Sequence, residues 1–154
     1  MEMPQPTDAH MKLQKLAGRW SGEERLMPSP WDPKGGTAVG KVQNRVSLDG
    51  FIVVQDYEQV RGGAVTFRGH GIFSWSQEEQ CYIMYWFDSM GMAPNVFRGN
   101  FQNGILTLTN KNSQGFSRAI WDLREGNRHT FRMEGSQDGT TWQTFMEGNY
   151  SLER

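Results

Sequence analysis

The sequence predicts an all-β protein: an antiparallel up-and-down barrel of about ten strands with one short N-terminal helix. Three observations predict it. Period-two runs rich in Val, Ile, Thr, Phe, Tyr and Trp fill the chain from Gly18 onward, Gly-containing pairs punctuate them, and no helical segment separates any two of them. The last observation excludes parallel β-α-β crossovers, so each strand pairs with its neighbour. A long meander removes its exposed edges most completely by closing on itself, a two-sheet sandwich being the alternative.

Residues 1–17 read as an arm and a helix. Thr7 and Asp8 offer an N-cap, Ala9, Leu13 and Leu16 recur at helical spacing, and Gly18 stands where a glycine stops a helix. A helix of about ten residues is marginal alone, so its apolar stripe must dock on one end of the barrel. Residues 18–154 form the barrel domain, with strands expected at 18–27, 37–48, 51–60, 64–75, 81–88, 95–102, 105–110, 115–124, 129–136 and 141–152. Asp49-Gly50, Gly62-Gly63, Asn103-Gly104, Gly126-Asn127 and Asp138-Gly139 are turn pairs suited to tight hairpins.

The connections sort by strand parity. Those after even-numbered strands are short, whereas those after odd-numbered strands include 28–36, 89–94 and 111–114. Function tends to sit on loops over a rigid scaffold, so the end carrying the long loops is the expected mouth.

The chain has 154 residues, the length of one domain with a sizeable core. Its net charge is -1 and its Lys and Arg residues are scattered singly, which argues against nucleic acid as a partner. The opening Met1-Glu2-Met3-Pro4 lacks the regions of a signal peptide and no apolar run reaches membrane-spanning length, so a cytoplasmic protein with no membrane partner is expected. A lone Cys81 excludes an internal disulfide framework.

Hairpin register locates a candidate site. A two-residue turn at Asp49-Gly50 sets Val46 opposite Val53, Asn44 opposite Gln55 and Val42 opposite Tyr57, while Lys41 meets Glu58 and Gln43 meets Asp56 on the other, solvent-suited face. The same turn length at Gly62-Gly63 sets Tyr57 opposite Arg68 and Gln55 opposite His70. Asn44, Gln55 and His70 then form one inward row, with Tyr57 and Arg68 beside it. An uncompensated buried amide or imidazole costs about 1–3 kcal/mol, so the row is a self-satisfied ladder of the barrel wall, a ligand contact, or the product of a mistaken register.

Cys81-Tyr82-Ile83-Met84-Tyr85-Trp86-Phe87-Asp88 is apolar on both faces, which suits a strand with one face on the cavity and the other on the helix or a second subunit of a homodimer. The preceding connection has no decisive turn pair, leaving open whether Tyr85 and Phe87, or Trp86 and Asp88, point inward. Trp31, held among Pro28, Pro30 and Pro33, reads as a lid over the mouth or as a surface ring packed on the rim. Met90 and Met92 add an adaptable edge or simply fill gaps.

Catalytic and metal signatures are missing. His10, His70 and His129 lie on different elements, and neither a paired CxxC nor HExxH occurs, so no metal site is expected. Gly18-Arg19-Trp20-Ser21-Gly22 is not a nucleophile elbow, and the glycines lie in hairpins and strands rather than before a helix N-terminus.

Leu16-Ala17-Gly18-Arg19-Trp20-Ser21-Gly22, the Pro28-to-Pro33 loop, Phe67-Arg68-Gly69-His70-Gly71, Trp86 to Gly91 and Met146-Glu147-Gly148-Asn149-Tyr150 together resemble an uncharacterised bacterial family of unknown function with a calycin-like barrel. That resemblance spans nearly the whole chain and implies the fold, but no catalytic residues. More loosely, Gly18, Trp20 and Gly22 are similar to the opening Gly-x-Trp-x-Gly strand of nitrobindin-like haem barrels, whose haem-ligating His lies near the C-terminus. Here Trp142 to Arg154 contains no His, although Tyr150 offers an oxygen ligand, so no haem or other cofactor is expected.

The function expected is that of an intracellular carrier or sensor of a small, partly apolar molecule, with Asn44, Gln55, Tyr57, Arg68, His70, Trp31, Trp86 and Asp88 as ligand contacts. Tyr57, Arg68 and His70 would supply polar or anionic anchoring. The alternatives are an enzyme using His70 as acid or base in the cavity, and a structural or oligomerisation domain using strand 81–88.

Overall fold

The computed structural model describes residues 1–30 and 32–154; Trp31, and with it the expectation of a lid, lies outside the described residues. Helix α1 (Asp8–Leu13) follows Thr7, whose backbone N–H donates to His10 Nδ1 at 3.0 Å, and a 3₁₀ turn extends it through Leu16. Ten strands follow: β1 Gly18–Leu26, β2 Gly36–Ser47, β3 Ile52–Arg61, β4 Ala64–Ser76, β5 Cys81–Asp88, β6 Asn95–Gln102, β7 Ile105–Asn112, β8 Gly115–Asp122, β9 Arg128–Ser136 and β10 Gln143–Leu152. Each pairs antiparallel with its neighbour in sequence, and β1 pairs with β10 to close the barrel. The closed barrel leaves no free sheet edge, as the meander required.

The helix seals one end. Leu13 and Leu16 are fully buried against Val53, Phe73 and Tyr82 in the main core. The Leu16 carbonyl accepts from Trp20 Nε1 at 2.9 Å and from Asn44 Nδ2 at 2.8 Å, and Tyr82 OH donates to the Ala9 carbonyl at 2.7 Å. The Leu16 carbonyl, at the end of the helical segment, lacks an intrahelical partner, so the barrel side chains reaching up to it anchor the seal. No helix among the described residues is long and apolar enough to cross a membrane.

The register of β2 and β3 is the expected one, with Asn44 opposite Gln55 and Val42 opposite Tyr57. The connection is a 3₁₀ turn in which Leu48 and Asp49 adopt φ values of 50° and 57°, but it preserves the same pairing. The β3–β4 hairpin departs from expectation. Beyond the pairs Arg61–Ala64 and Val60–Val65, the next pair is Gln59–Phe67, leaving Thr66 as a bulge. One extra residue turns every later side chain of β4 to the opposite face. Gly69 and Gly71 therefore face the interior, opposite Tyr57 and Gln55, while Arg68 and His70 face outward.

Candidate functional site

The barrel encloses a cavity of about 1260 Å³ that opens at the end carrying the connections after odd-numbered strands. Pro28, Pro30, Asp32, Met90, Gln114 and Asp138 stand around its mouth, and Phe67, Met84, Trp86, Phe97, Trp121 and Phe131 line its walls. Apolar walls with a few convergent polar groups are the usual make-up of a small-molecule site.

Of the residues expected there, Gln55, Tyr57, Trp86 and Asp88 line the cavity. The β5 ambiguity resolves in favour of Trp86 and Asp88 inward, with Tyr85 and Phe87 exposed on the outer face. Asp88 accepts from Trp86 Nε1 at 2.9 Å and from the Met90 N–H at 3.0 Å, so it ties the indole to the rim loop. Asn44 is buried but points at the seal rather than into the cavity, donating to Leu16 while its Oδ1 has no partner among the described residues.

The expected positions of His70 and Arg68 need correction. His70 Nδ1 lies 2.7 Å from Asp56 Oδ1 on the outer face with the ring 43% exposed, and this contact, with Arg45 beside it, holds the Asp56 carboxyl below its ordinary range. Arg68 is exposed beside Ser89, with which it exchanges two hydrogen bonds. The Thr66 bulge is the cause of both, so the cavity lacks the cationic anchoring expected of Arg68 and the acid–base group expected of His70.

Sequence reasoning missed the polar centre of the barrel, which is Glu24. This residue is 0% exposed. Tyr57 OH donates to its carboxylate at 2.7 and 2.9 Å, Gln59 Nε2 donates at 3.0 Å, and Tyr150 OH donates to Oε2. Glycines make the room: a Cβ on Gly40 would lie 2.1 Å from Glu24 Oε2, and one on Gly148 would lie 2.5 Å from Tyr150 OH. Burial first, and the Glu24 charge second, push both phenols far above their ordinary pKa, so both remain protonated donors. One signal was available in the sequence. Trp20, Gly22, Glu24 and Leu26 share one face of β1, so an inward Trp20 implies an inward carboxylate two places beyond Gly22.

His129 was also missed as an interior group. It is 5% exposed, packs edge-on to Trp20 at 4.5 Å between ring centres and lies 5.2 Å from the Tyr150 ring. Its Nδ1 has no partner among the described residues, and burial lowers its pKa to about 4, so the ring is neutral near pH 7. Among the described residues, no group of three or more His, Cys, Asp or Glu is arranged to hold a metal ion.

Residues 5–151 match the family model described as Protein of unknown function (DUF1579). The chain belongs to this family. No curated protein matches it in sequence. The DUF1579 barrel is similar in structure to Rv2717c from M. tuberculosis, with a TM-score of 0.69, 12% identity and coverage of 96% of this chain and 99% of that one. It is also similar to the S-type phycobiliprotein lyase CPES from Guillardia theta, with a TM-score of 0.63, 8% identity and coverage of 97% and 99%. At these identities the two likenesses establish the DUF1579 barrel's fold and leave its chemistry to its own residues.

Proposed function

We propose that this DUF1579 protein is a cytoplasmic, non-enzymatic carrier or sensor that holds a small, partly apolar molecule inside the barrel. The observation that carries the reading is a cavity of about 1260 Å³, apolar along its walls and polar at Gln55, Tyr57, Gln59 and Tyr150. That volume exceeds the roughly 300–1,000 Å³ of ordinary ligand pockets, which suits an occupant with a bulky apolar body. The phycobiliprotein lyase of the same fold supports the reading only in that a barrel of this kind serves a protein named for acting on a phycobiliprotein. The proposed contacts are Gln55, Tyr57, Trp86 and Asp88, joined by Gln59 and Tyr150.

Haem is not the proposed occupant. β10 carries no His, and the Tyr150 hydroxyl that could serve as an oxygen ligand is engaged by Glu24. Mass spectrometry of the purified protein under native and denaturing conditions tests the carrier reading. A reproducible co-purifying small molecule released on denaturation is expected. A ligand-free mass, combined with failure of any apolar probe to bind, would overturn it.

A second reading is favoured by the outer face of β5, where Tyr85 and Phe87 are 41% and 46% exposed beside Val96 and Ile72. Aromatic side chains left in water on one face suit self-association into a homodimer. Sedimentation across a hundredfold range of concentration would detect it, and Phe87→Ser should abolish it.

A further inference from the structure

The charges around the cavity are strongly one-sided. Asp32, Arg61, Asp88 and Asp138 line it, and Glu24 lies directly behind Tyr57 and Tyr150. The cation among them, Arg61, is already engaged by Asp32 at 2.9 Å and by the Gly35 carbonyl at 3.0 Å. The donors that Glu24 receives are all neutral, and no salt bridge reaches it among the described residues. Buried carboxylate charge without a cation is costly, and a ligand cation placed nearby would offset that cost.

Hydrogen-bonding capacity beside Glu24 points the same way. A phenol has one proton and two lone pairs, and the protons of Tyr57 and Tyr150 are both directed at Glu24. Gln59 commits its Nε2 to Glu24 and to the Tyr57 oxygen at 3.0 Å each, which leaves its carbonyl oxygen. These groups therefore offer an incoming ligand acceptors rather than donors. A carboxylate ligand would meet lone pairs and like charge, whereas an ammonium would meet acceptors in a negative field. Phe67, Trp86 and Phe131 add aromatic faces, to which a cation is attracted.

We infer that the cavity selects an amphipathic organic amine, its protonated nitrogen seated against Tyr57, Tyr150 and Gln59 in the field of Glu24 and its apolar body laid along Phe67, Trp86 and Phe131. The inference rests on the reading of the cavity as a ligand site and names the class of ligand.

Three probes that share one ring system isolate the headgroup: 1-naphthylmethylamine, 1-naphthylmethanol and 1-naphthoate, each titrated into the wild-type protein at pH 7 and followed through the indole N–H resonances of Trp86 and Trp121. The amine should bind at least tenfold more tightly than the naphthoate, with the alcohol between them. Glu24→Gln should bring the amine to within threefold of the alcohol measured in the same variant. Naphthoate binding as tightly as the amine would overturn the inference, as would an amine preference undiminished in a folded E24Q protein. Should E24Q fail to fold, the wild-type ranking decides alone. Equal binding of all three probes removes the amine preference and leaves the carrier reading standing, whereas no perturbation by any of them removes both.

Discussion

The indole of Trp86 lies on Gly69: a Cβ at that position would sit 2.1 Å from Trp86 Cη2. Gly71, paired directly with Trp86 across the strands, would place its Cβ 3.3 Å from the same ring. The bare backbone of β4 thus forms the bed on which a large cavity-lining aromatic rests, and Asp88 holds the ring from the other side.

Gly69→Ala should push this indole into the cavity. The ring is braced by its bond to Asp88, so overpacking of roughly 1–3 kcal/mol is expected. Thermal unfolding would measure the loss, and binding of an apolar probe should weaken with it. A variant of wild-type stability and unchanged probe affinity would show that the ring has room to move.

Glu24→Ala should destabilise the protein by roughly 3 kcal/mol or more, because Tyr57, Tyr150 and Gln59 lose their acceptor together in a buried site. Exposed Glu23, its neighbour in the chain, is the control, and Glu23→Ala should stay within about 0.5 kcal/mol of wild type. Urea unfolding of the two variants checks both values. Equal effects would mean that the hydrogen-bonded ring around Glu24 contributes nothing beyond an ordinary surface acid.

The neutral, buried His129 predicts a pH dependence of stability. Its pKa falls from 6.5 to about 4 on folding because burial disfavours the imidazolium, so between these values the unfolded chain binds the extra proton. Stability from this group is complete above about pH 6.5 and is lost as the pH falls towards 4, by roughly 3 kcal/mol in all. His129→Phe should flatten this part of the profile of urea midpoint against pH. A profile equally steep without His129 would assign the slope to other groups.

Haemin added to the protein and passed through a desalting column should leave no stoichiometric Soret band. The reason is the lack of a free ligand: β10 carries no His, and the Tyr150 hydroxyl is spent on Glu24. A stable band at one haem per chain would contradict this account of the interior.

The amino-acid sequence by itself determined the closed antiparallel barrel, its strand boundaries to within a few residues, the β2–β3 register and the end at which the cavity opens. These follow from period-two alternation, turn pairs and loop lengths, all of them local properties written within a few neighbouring residues. The tertiary structure alone decided what faces the cavity. A single bulged residue, Thr66, exchanges His70 and Arg68 for Gly69 and Gly71, and in a strand of mixed polar and small residues no hydrophobic pattern is strong enough to reveal the slip. Glu24 meets Tyr57 across 33 residues of chain and Tyr150 across 126. A carboxylate on an inward face is visible in the sequence, but the three donors that let it stay buried come together only when β1 pairs with both β2 and β10, and closure of that kind is a property of the whole barrel.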